Sequence, residues 1–295
     1  MNTIQSTQDT IKLSNGVKMP AFGFGTMPTT RGTAPAADFI ETIKTAINTG
    51  YRNIDTATAY DNEKEVGEAV RQSVNEGDVK REQLFISTKL WNTHRGYDLT
   101  LEAFDTSMER LGLDYLDLYL IHVPAVELLD KNWRETNHST WRAFEQLYKE
   151  GRIKAIGVSN FLPHHLQALM DMAEVMPMVN QIEVHPGFNS AETVDFCRKH
   201  NIAVEAWGPF GNGQVLTNEQ LQTIADSYHK SVAQICLRWL IQKSIVPLPK
   251  SYNKDRIIEN TRIFDFELTD TDMNTIDNIT DCGGFCVNPD TASAD

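Results

Sequence analysis

The feature that most constrains this chain is an alternation, eight times over, of short β-branched runs with longer amphipathic stretches. The extended runs fall at 20–25 (PAFGFG), 51–56 (YRNIDT), 84–90 (LFISTKL), 116–122 (LDLYLIH), 153–159 (IKAIGVS), 179–184 (VNQIEV), 203–207 (AVEAW) and 244–249 (SIVPLP). Helical patterns fill the gaps at 37–49, 62–76, 98–111, 139–150, 163–174, 190–200, 217–227 and 231–243, and another follows at 253–262. Several end at a glycine suited to the left-handed C′ position, among them Gly50, Gly77, Gly112 and Gly151. Strands that alternate with helices pair in parallel through right-handed crossovers. Eight such units in 295 residues predict one α/β domain over 1–295, a closed (β/α)8 TIM barrel. Ahead of the first unit, Asn15-Gly16 between 10–13 and 17–19 predicts a β-hairpin with a two-residue turn, lying across one end of the barrel. The segment 281–295, rich in Gly, Asp and Ala, reads as an irregular tail.

An open, doubly wound sheet would place a dinucleotide-binding glycine motif after its first strand. Gly23-Phe-Gly25 is followed by Met27 and Pro28, and Gly208-Pro-Phe-Gly-Asn-Gly213 also misses the G-x-G-x-x-G spacing. Charge narrows the function further. With 27 Lys and Arg against 40 Asp and Glu, the net charge is −13, which argues against nucleic acid or an anionic membrane as partner. No apolar run approaches the roughly 18–20 residues of a membrane span, and residues 1–10 do not read as a signal peptide. Cys197 and Cys236 sit on helical patterns as buried thiols, and Cys282 and Cys286 in the tail are expected to be unpaired, which fits a reduced, cytoplasmic protein. The eight histidines show no metal-ligand spacing; His164 and His165 open a helix and are expected to face solvent, so no metal is predicted and a metal- or acid-pair hydrolase has no support.

Polar residues at the C-terminal ends of barrel strands face the active-site mouth. Here the second strand ends in Asp55, with Tyr60 in the loop that follows, the third in Lys89 and the fourth in His122. Each alone has an ordinary structural explanation: an ion pair, a packed aromatic, a core histidine. Together they could donate a proton to a carbonyl. A tyrosine near pKa 10 is a poor acid at neutral pH; a lysine ammonium lowers that value, and a carboxylate holds the lysine charged. A neutral imidazole can hydrogen-bond the carbonyl oxygen. Lys250, Lys254 and Arg256 concentrate positive charge after the eighth strand, where barrels frequently bind phosphate.

Gly50-Tyr-Arg-Asn-Ile-Asp55-Thr-Ala-Thr-Ala-Tyr60-Asp-Asn-Glu-Lys-Glu-Val-Gly67 resembles the opening signature of the aldo-keto reductases. The Lys89 strand (ISTKLW), the His122 strand, Gly157-Val-Ser-Asn-Phe161, Asn180-Gln-Ile-Glu-Val-His-Pro186 and Pro249-Lys-Ser251 with Arg256, Glu259-Asn260 and Phe264-Asp-Phe-Glu-Leu268 follow in order, so the resemblance runs from about residue 10 to 280. It implies a barrel that binds NADPH in extended form without a Rossmann domain. It implies Tyr60 as general acid, Lys89 and Asp55 as its tuning pair, and His122 as the group that orients the substrate. Thr26, Asp55, Ser159, Asn160, Gln181, Trp207 and Gly208 would lie at the cofactor, with Trp207 stacked on the nicotinamide. Lys250, Ser251 and Arg256 would hold the 2′-phosphate, with Glu259 and Asn260 beside the adenine.

The sequence departs from that pattern in places. Gly208 stands where many members have serine, and Asn53 replaces a frequent histidine with little effect expected. Trp91 matches a pocket wall, whereas Met27 and Val123 stand where several animal members carry tryptophan, which implies a roomier substrate pocket. The tail after Gly283 is short. These features resemble bacterial and fungal members, such as the 2,5-diketo-D-gluconate reductase-like group, that reduce small dicarbonyls, keto-sugars or aldehydes. The expected protein is an NADPH-dependent carbonyl reductase with a small carbonyl substrate, a monomer or weak homodimer. The alternative is a non-catalytic NADPH-binding barrel acting as a redox sensor or structural partner.

Overall fold

Eight strands run side by side in chain order and all pair in parallel: β3 (Gly23–Gly25), β4 (Asn53–Asp55), β5 (Phe85–Leu90), β6 (Leu116–Ile121), β7 (Ile153–Ser159), β8 (Val179–Glu183), β9 (Ala203–Trp207) and β10 (Val246–Pro247). The structure, a computed structural model, describes residues 4–28, 35–280, 282–285 and 288–291. The sheet closes on itself where Gly25 N–H donates to Pro249 O at 3.0 Å. The seam is closely packed at its two glycines. A Cβ on Gly25 would lie 3.1 Å from Leu248 O, and one on Gly23 would lie 2.5 Å from Leu248 Cδ2. The last strand is shorter than the apolar run 244–249 suggests, because Pro247 and Pro249 have no N–H to extend a ladder. The eight-stranded TIM barrel expected from the alternation is the fold observed.

Strand periodicity decides which side chains enter the barrel. Successive residues point to opposite faces, and hydrogen bonds between strands that are not neighbours must cross the interior. Gln181 on β8 bonds to Asp55 on β4, and Asn53 on β4 bonds to Glu205 on β9. These contacts put Asn53, Asp55, Ser87, Lys89, Gln181 and Glu205 on the inner faces. The alternate residues pack outward beneath helices: Tyr119 on β6 stacks on Phe144 at 4.5 Å, and Thr88 on β5 donates to Glu63.

The helices are α1 (Ala36–Thr49), α2 (Glu63–Asn75), α3 (Tyr97–Leu111), α4 (Trp133–Lys149), α5 (Pro163–Met170), α6 (Ala191–Lys199), α7 (Glu219–Tyr228), α8 (Val232–Gln242), α9 (Lys254–Glu259) and α10 (Asp270–Asp277). Gly50 (φ 113°) and Gly112 (φ 62°) cap α1 and α3 in the left-handed region, as expected. Several boundaries differ from the sequence reading. Helix α4 starts six residues earlier than 139, at Trp133, and α5 and α9 stop short of 174 and 262. Helix α10 was not expected; its signal is Thr269, whose side chain accepts from Asp272 N–H at the N-cap. No helix among the described residues is long and apolar enough to cross a membrane.

Strands β1 (Thr10–Lys12) and β2 (Lys18–Pro20) form the antiparallel hairpin. Its turn is longer than the two residues expected. Gly16 N–H donates to Leu13 O, Leu13 N–H donates to Val17 O, and Gly16 takes φ 91°, so one left-handed glycine follows a tight turn instead of two central residues closing it. Asn15 Nδ2 donates to Lys154 O at the start of β7, and Gln8 Nε2 to Gly50 O before β4. The hairpin therefore covers the N-terminal ends of the strands, opposite the mouth.

Outside the barrel mouth, Cys197 and Cys236 are buried as expected, and burial raises both thiols, Cys197 to about 11. Cys282 is buried and receives a bond from Asn218, whereas Cys286, and so the state of that pair, lies outside the described residues. His165 does not face solvent. Its ring is buried against Trp133 and Phe161, because its Nδ1 turns back to accept Leu162 N–H at the start of α5. His164, on the same turn, is half exposed.

Helix α2 approaches the end of α3 closely at Gly67. A Cβ on Gly67 would lie 1.9 Å from Leu111 O, a backbone atom that has no rotamer to escape into. Gly67→Ala should therefore lose on the order of 2 kcal/mol or more to overpacking, although alanine is the better helix former by about 1 kcal/mol. Thermal denaturation measures this, and an unchanged or higher Tm would refute the close approach of the two helices.

Candidate active site

The polar strand ends converge at the C-terminal mouth. Lys89 Nζ lies 2.6 Å from Asp55 Oδ2, donates to Thr56 O at 2.9 Å and reaches Tyr60 OH at 3.3 Å. Asp55 Oδ1 also accepts from Ser87 Oγ at 3.0 Å and Gln181 Nε2 at 2.9 Å. Tyr60 is brought there by a single 3-10 turn, Thr58–Tyr60, which ends at Asp61 in the left-handed region. His122 follows β6 directly. Its ring meets the Tyr60 ring at 5.7 Å and the Trp91 ring at 5.1 Å, both edge to face. Asp55, Tyr60, Lys89 and His122 thus form one contiguous group, with Trp91 beside it.

Electrostatics assigns each group a protonation state. Burial opposes the charge on Lys89, but Asp55 and Tyr60 outweigh it and hold the ammonium above its usual value. Burial, assisted by the Lys89 charge, pushes His122 well below the usual imidazole range, so the ring is neutral, and its Nδ1 has no hydrogen-bond partner in the structure. Tyr60 departs from the sequence expectation. Burial raises it, Lys89 pulls it down through charge and hydrogen bond, and Asp55 raises it again; the net direction is upward. The lysine limits the rise that burial causes, without reversing it.

Ser159, Asn160, Gln181 and Trp207 form a second group joined to the first. Asn160, held at φ 61°, donates through Nδ2 to His122 O at 2.9 Å, and its Oδ1 accepts Trp207 Nε1–H at 2.9 Å. Ser159 Oγ donates to Gln181 O. Gln181 Nε2 gives its two hydrogens to Asp55 Oδ1 and Glu205 Oε2, each at 2.9 Å. Its amide cannot be turned over without facing an oxygen to both carboxyl groups, so Gln181 Oε1 is left as an acceptor. Thr26 is buried at the same level, but its hydroxyl is committed to Asp55 O at 2.8 Å. Gly208 takes φ 61°, a left-handed conformation that glycine adopts without strain.

The basic segment lies after β10, beside the β3–β10 seam. Lys250 Nζ sits 3.5 Å over the Tyr252 ring, and burial lowers the ammonium to about 8. Ser251 Oγ accepts Asn253 N–H, and Asn253 caps α9, which carries the exposed Arg256. Glu259 ends that helix and Asn260 behind it is buried. Met27 is 45% exposed and Val123 half buried; neither makes a side-chain polar contact that would assign it a role.

Two inward carboxylates were not singled out in the sequence, although polar residues at inward parity in apolar strands were their signal. Glu205 accepts from Asn53 and Gln181, so Asn53 is more than a neutral replacement. Glu183 Oε1 lies 3.3 Å from His185 Nε2 and accepts from Phe285 N–H, which holds the tail residue Phe285 with its ring 5.9 Å from Trp207. A third cluster, His164, His165 and Asp290, brings its ligand atoms within 4.8 Å of one another. His165 Nδ1 accepts a backbone N–H, so the neutral ring carries its proton on Nε2, the atom facing Asp290. A metal ligand needs the reverse tautomer.

A family model described as Aldo/keto reductase family matches residues 21–281. The chain belongs to the aldo/keto reductase family. As a member it is an oxidoreductase of carbonyl and alcohol groups. It is 51% identical over 265 residues to an uncharacterized oxidoreductase, YtbE, of Bacillus subtilis, with 90% of each chain covered. It is 49% identical over 285 residues to a glyoxal reductase of the same organism, covering 97% of this chain and 98% of that one. Among solved structures, a Bombyx mori aldo-keto reductase in complex with NADP superposes with a TM-score of 0.86 at 34% identity, covering 95% of this chain and 94% of that one.

The buried Asp55–Lys89 pair gives a direct test of the electrostatics. Lys89→Met leaves a buried carboxylate without its cation and should destabilise the protein by about 3 kcal/mol or more. Adding Asp55→Asn removes the uncompensated charge and should restore part of that loss. Chemical denaturation of the single and double variants reads the coupling. If the double variant is no more stable than Lys89→Met, the pair does not act as a unit.

Proposed function

We propose that this reductase uses NADPH to reduce small, reactive carbonyl compounds, dicarbonyls above all, with Tyr60 as the proton donor. The observation that carries the reading is the Asp55–Lys89–Tyr60 chain of contacts beside the neutral His122. A carbonyl oxygen between Tyr60 OH and the His122 ring would receive a hydrogen bond from each when Nε2 of His122 carries the proton. Lys89 steadies the phenolate left after proton transfer, and Asp55 keeps Lys89 charged. Trp91, Met27 and Val123 would line the substrate side. A purely binding barrel would have no use for this costly buried arrangement, which argues against the sensor alternative.

The residues present fit a nicotinamide dinucleotide. Gln181 Oε1 is an acceptor for a carboxamide N–H, and Trp207, fixed by Asn160, offers an aromatic face. Lys250, Ser251 and Arg256 would hold a 2′-phosphate, and a neighbouring anion would oppose the burial that lowers Lys250. Thr26, Ser159 and Gly208 would bound the same site, with Glu259 and Asn260 at the adenine. When bound, the cofactor supplies the hydride. The preference for dicarbonyls is supported by the glyoxal reductase relative and by the absence of tryptophan at Met27 and Val123. A monomer or weak homodimer suffices, since every residue named comes from one chain.

Tyr60→Phe should bind NADPH normally, by quenching of tryptophan fluorescence, and lose about 100-fold or more in kcat with glyoxal. Turnover equal to the parent enzyme would remove Tyr60 from the mechanism. Lys250→Ala and Arg256→Ala should each weaken NADPH on the order of tenfold while changing NADH little. Equal losses for the two cofactors would contradict the phosphate assignment.

A further inference from the structure

Inside the barrel, close to the Asp55–Lys89 pair, lies a second carboxylate outside the Asp55–Lys89–Tyr60 chain of contacts. Glu205 is fully buried on the inner face of β9, two residues below Trp207. Its Oε1 accepts from Asn53 Nδ2 at 2.8 Å, and its Oε2 from Gln181 Nε2 at 2.9 Å. The other hydrogen of that same amide goes to Asp55 Oδ1. One neutral side chain therefore bridges two carboxyl groups in a water-poor interior, with a single ammonium, Lys89, beside them. Two negative charges so placed are costly, and one group keeps a proton.

The donors decide which. Asp55 has Lys89, Ser87 and Gln181; Glu205 has two neutral amides. The charged groups acting on Glu205 are Asp55 on β4 and Lys89 on β5, while Asn53 on β4 and Gln181 on β8 are uncharged. Burial, followed by Asp55, raises Glu205 to about 7 against the opposing pull of Gln181, Asn53 and Lys89. Asn53 provides for both states. Its Oδ1 is buried and has no donor in the structure, and turning the amide over presents that oxygen to a protonated Glu205.

We propose that Glu205 is a positioning residue for proton transfer: kept neutral, it leaves the Asp55–Lys89 pair beside Tyr60 without net charge, and its ionisation slows reduction. This rests on Tyr60 being the proton donor. As Tyr60 releases its proton to the carbonyl oxygen, the group goes from neutral to one negative charge if Glu205 is protonated. It goes from one negative charge to two if Glu205 is ionised, which is the harder step. Glu205 keeps its own proton throughout and acts through charge alone.

Two measurements test this. In protein labelled with 13C at glutamate carboxyls, one resonance should titrate between about pH 6 and about pH 8, well above the ordinary value near 4.3, and be missing in Glu205→Gln. With saturating NADPH and glyoxal, kcat of the parent enzyme should fall about tenfold over that interval, and Glu205→Gln should lose the decline; NADPH affinity, read by tryptophan quenching, should shift less than about threefold. The introduced amide can donate to Asn53 Oδ1, so the variant keeps a satisfied partner. If every glutamate carboxyl of the parent protein titrates below about pH 5.5, the proposal fails, even should the variant not fold. The same pH dependence of kcat in parent and variant also overturns it. Full activity of Tyr60→Phe would instead overturn the proton-donor reading, while the carboxyl titration of the unliganded protein would stand apart from that failure.

Discussion

The ion pair between Lys89 and Asp55 is the interaction on which the rest of this site depends. Neither charge could be kept in the barrel alone. The pair is tolerable because Lys89 has Thr56 O and Tyr60 OH as further acceptors, and Asp55 has Ser87 and Gln181 as further donors. Those supporting contacts come from β5, β8, the residue after β4 and the turn that carries Tyr60. Satisfying the pair therefore sets the position of the phenol and the orientation of the Gln181 amide together. The neutral state of His122 follows as well, since the ammonium nearby adds to the effect of burial.

Closure of the barrel makes those long-range contacts possible. Asp55 and Gln181 are far apart in the chain and on strands that do not pair; they meet because the sheet curls until β3 meets β10. At the seam the missing side chain of Gly25 lets the backbone of β3 lie close to the Leu248–Pro249 segment. Lys250 follows that segment directly, so the same closure that shapes the mouth also fixes where the basic segment begins. The tail completes the rim from the other side, where Glu183 holds Phe285 N–H and the Phe285 ring lies against Trp207.

Much of this was legible in the sequence, for reasons that are local. Strand and helix periodicities are written in neighbouring residues, so the eight units and their order could be read directly, as could the strand-end positions of Asp55, Lys89 and His122. The hairpin was legible, but its turn was not: Asn15-Gly16 fits more than one closure, and the pairing of Leu13 with Val17 decided among them. The early start of α4 was missed because its stabilising contacts are tertiary, whereas the helix at Asp270–Asp277 carries a local signal in its Thr269 N-cap. Trp133, for instance, packs on His164 and His165 of a different helix.

By itself the sequence determined the barrel, its order of strands and the polar residues that gather at its mouth, because alternation and strand-end position are properties of a continuous chain. Only the tertiary structure decided how those residues are charged. That Tyr60 is raised overall despite its lysine, that Asn53 serves Glu205, that His165 is buried, and that Glu205 shares one amide with Asp55 all depend on groups brought together from different strands and helices. Protonation responds to burial and to charges in space, and neither is a function of spacing along the chain.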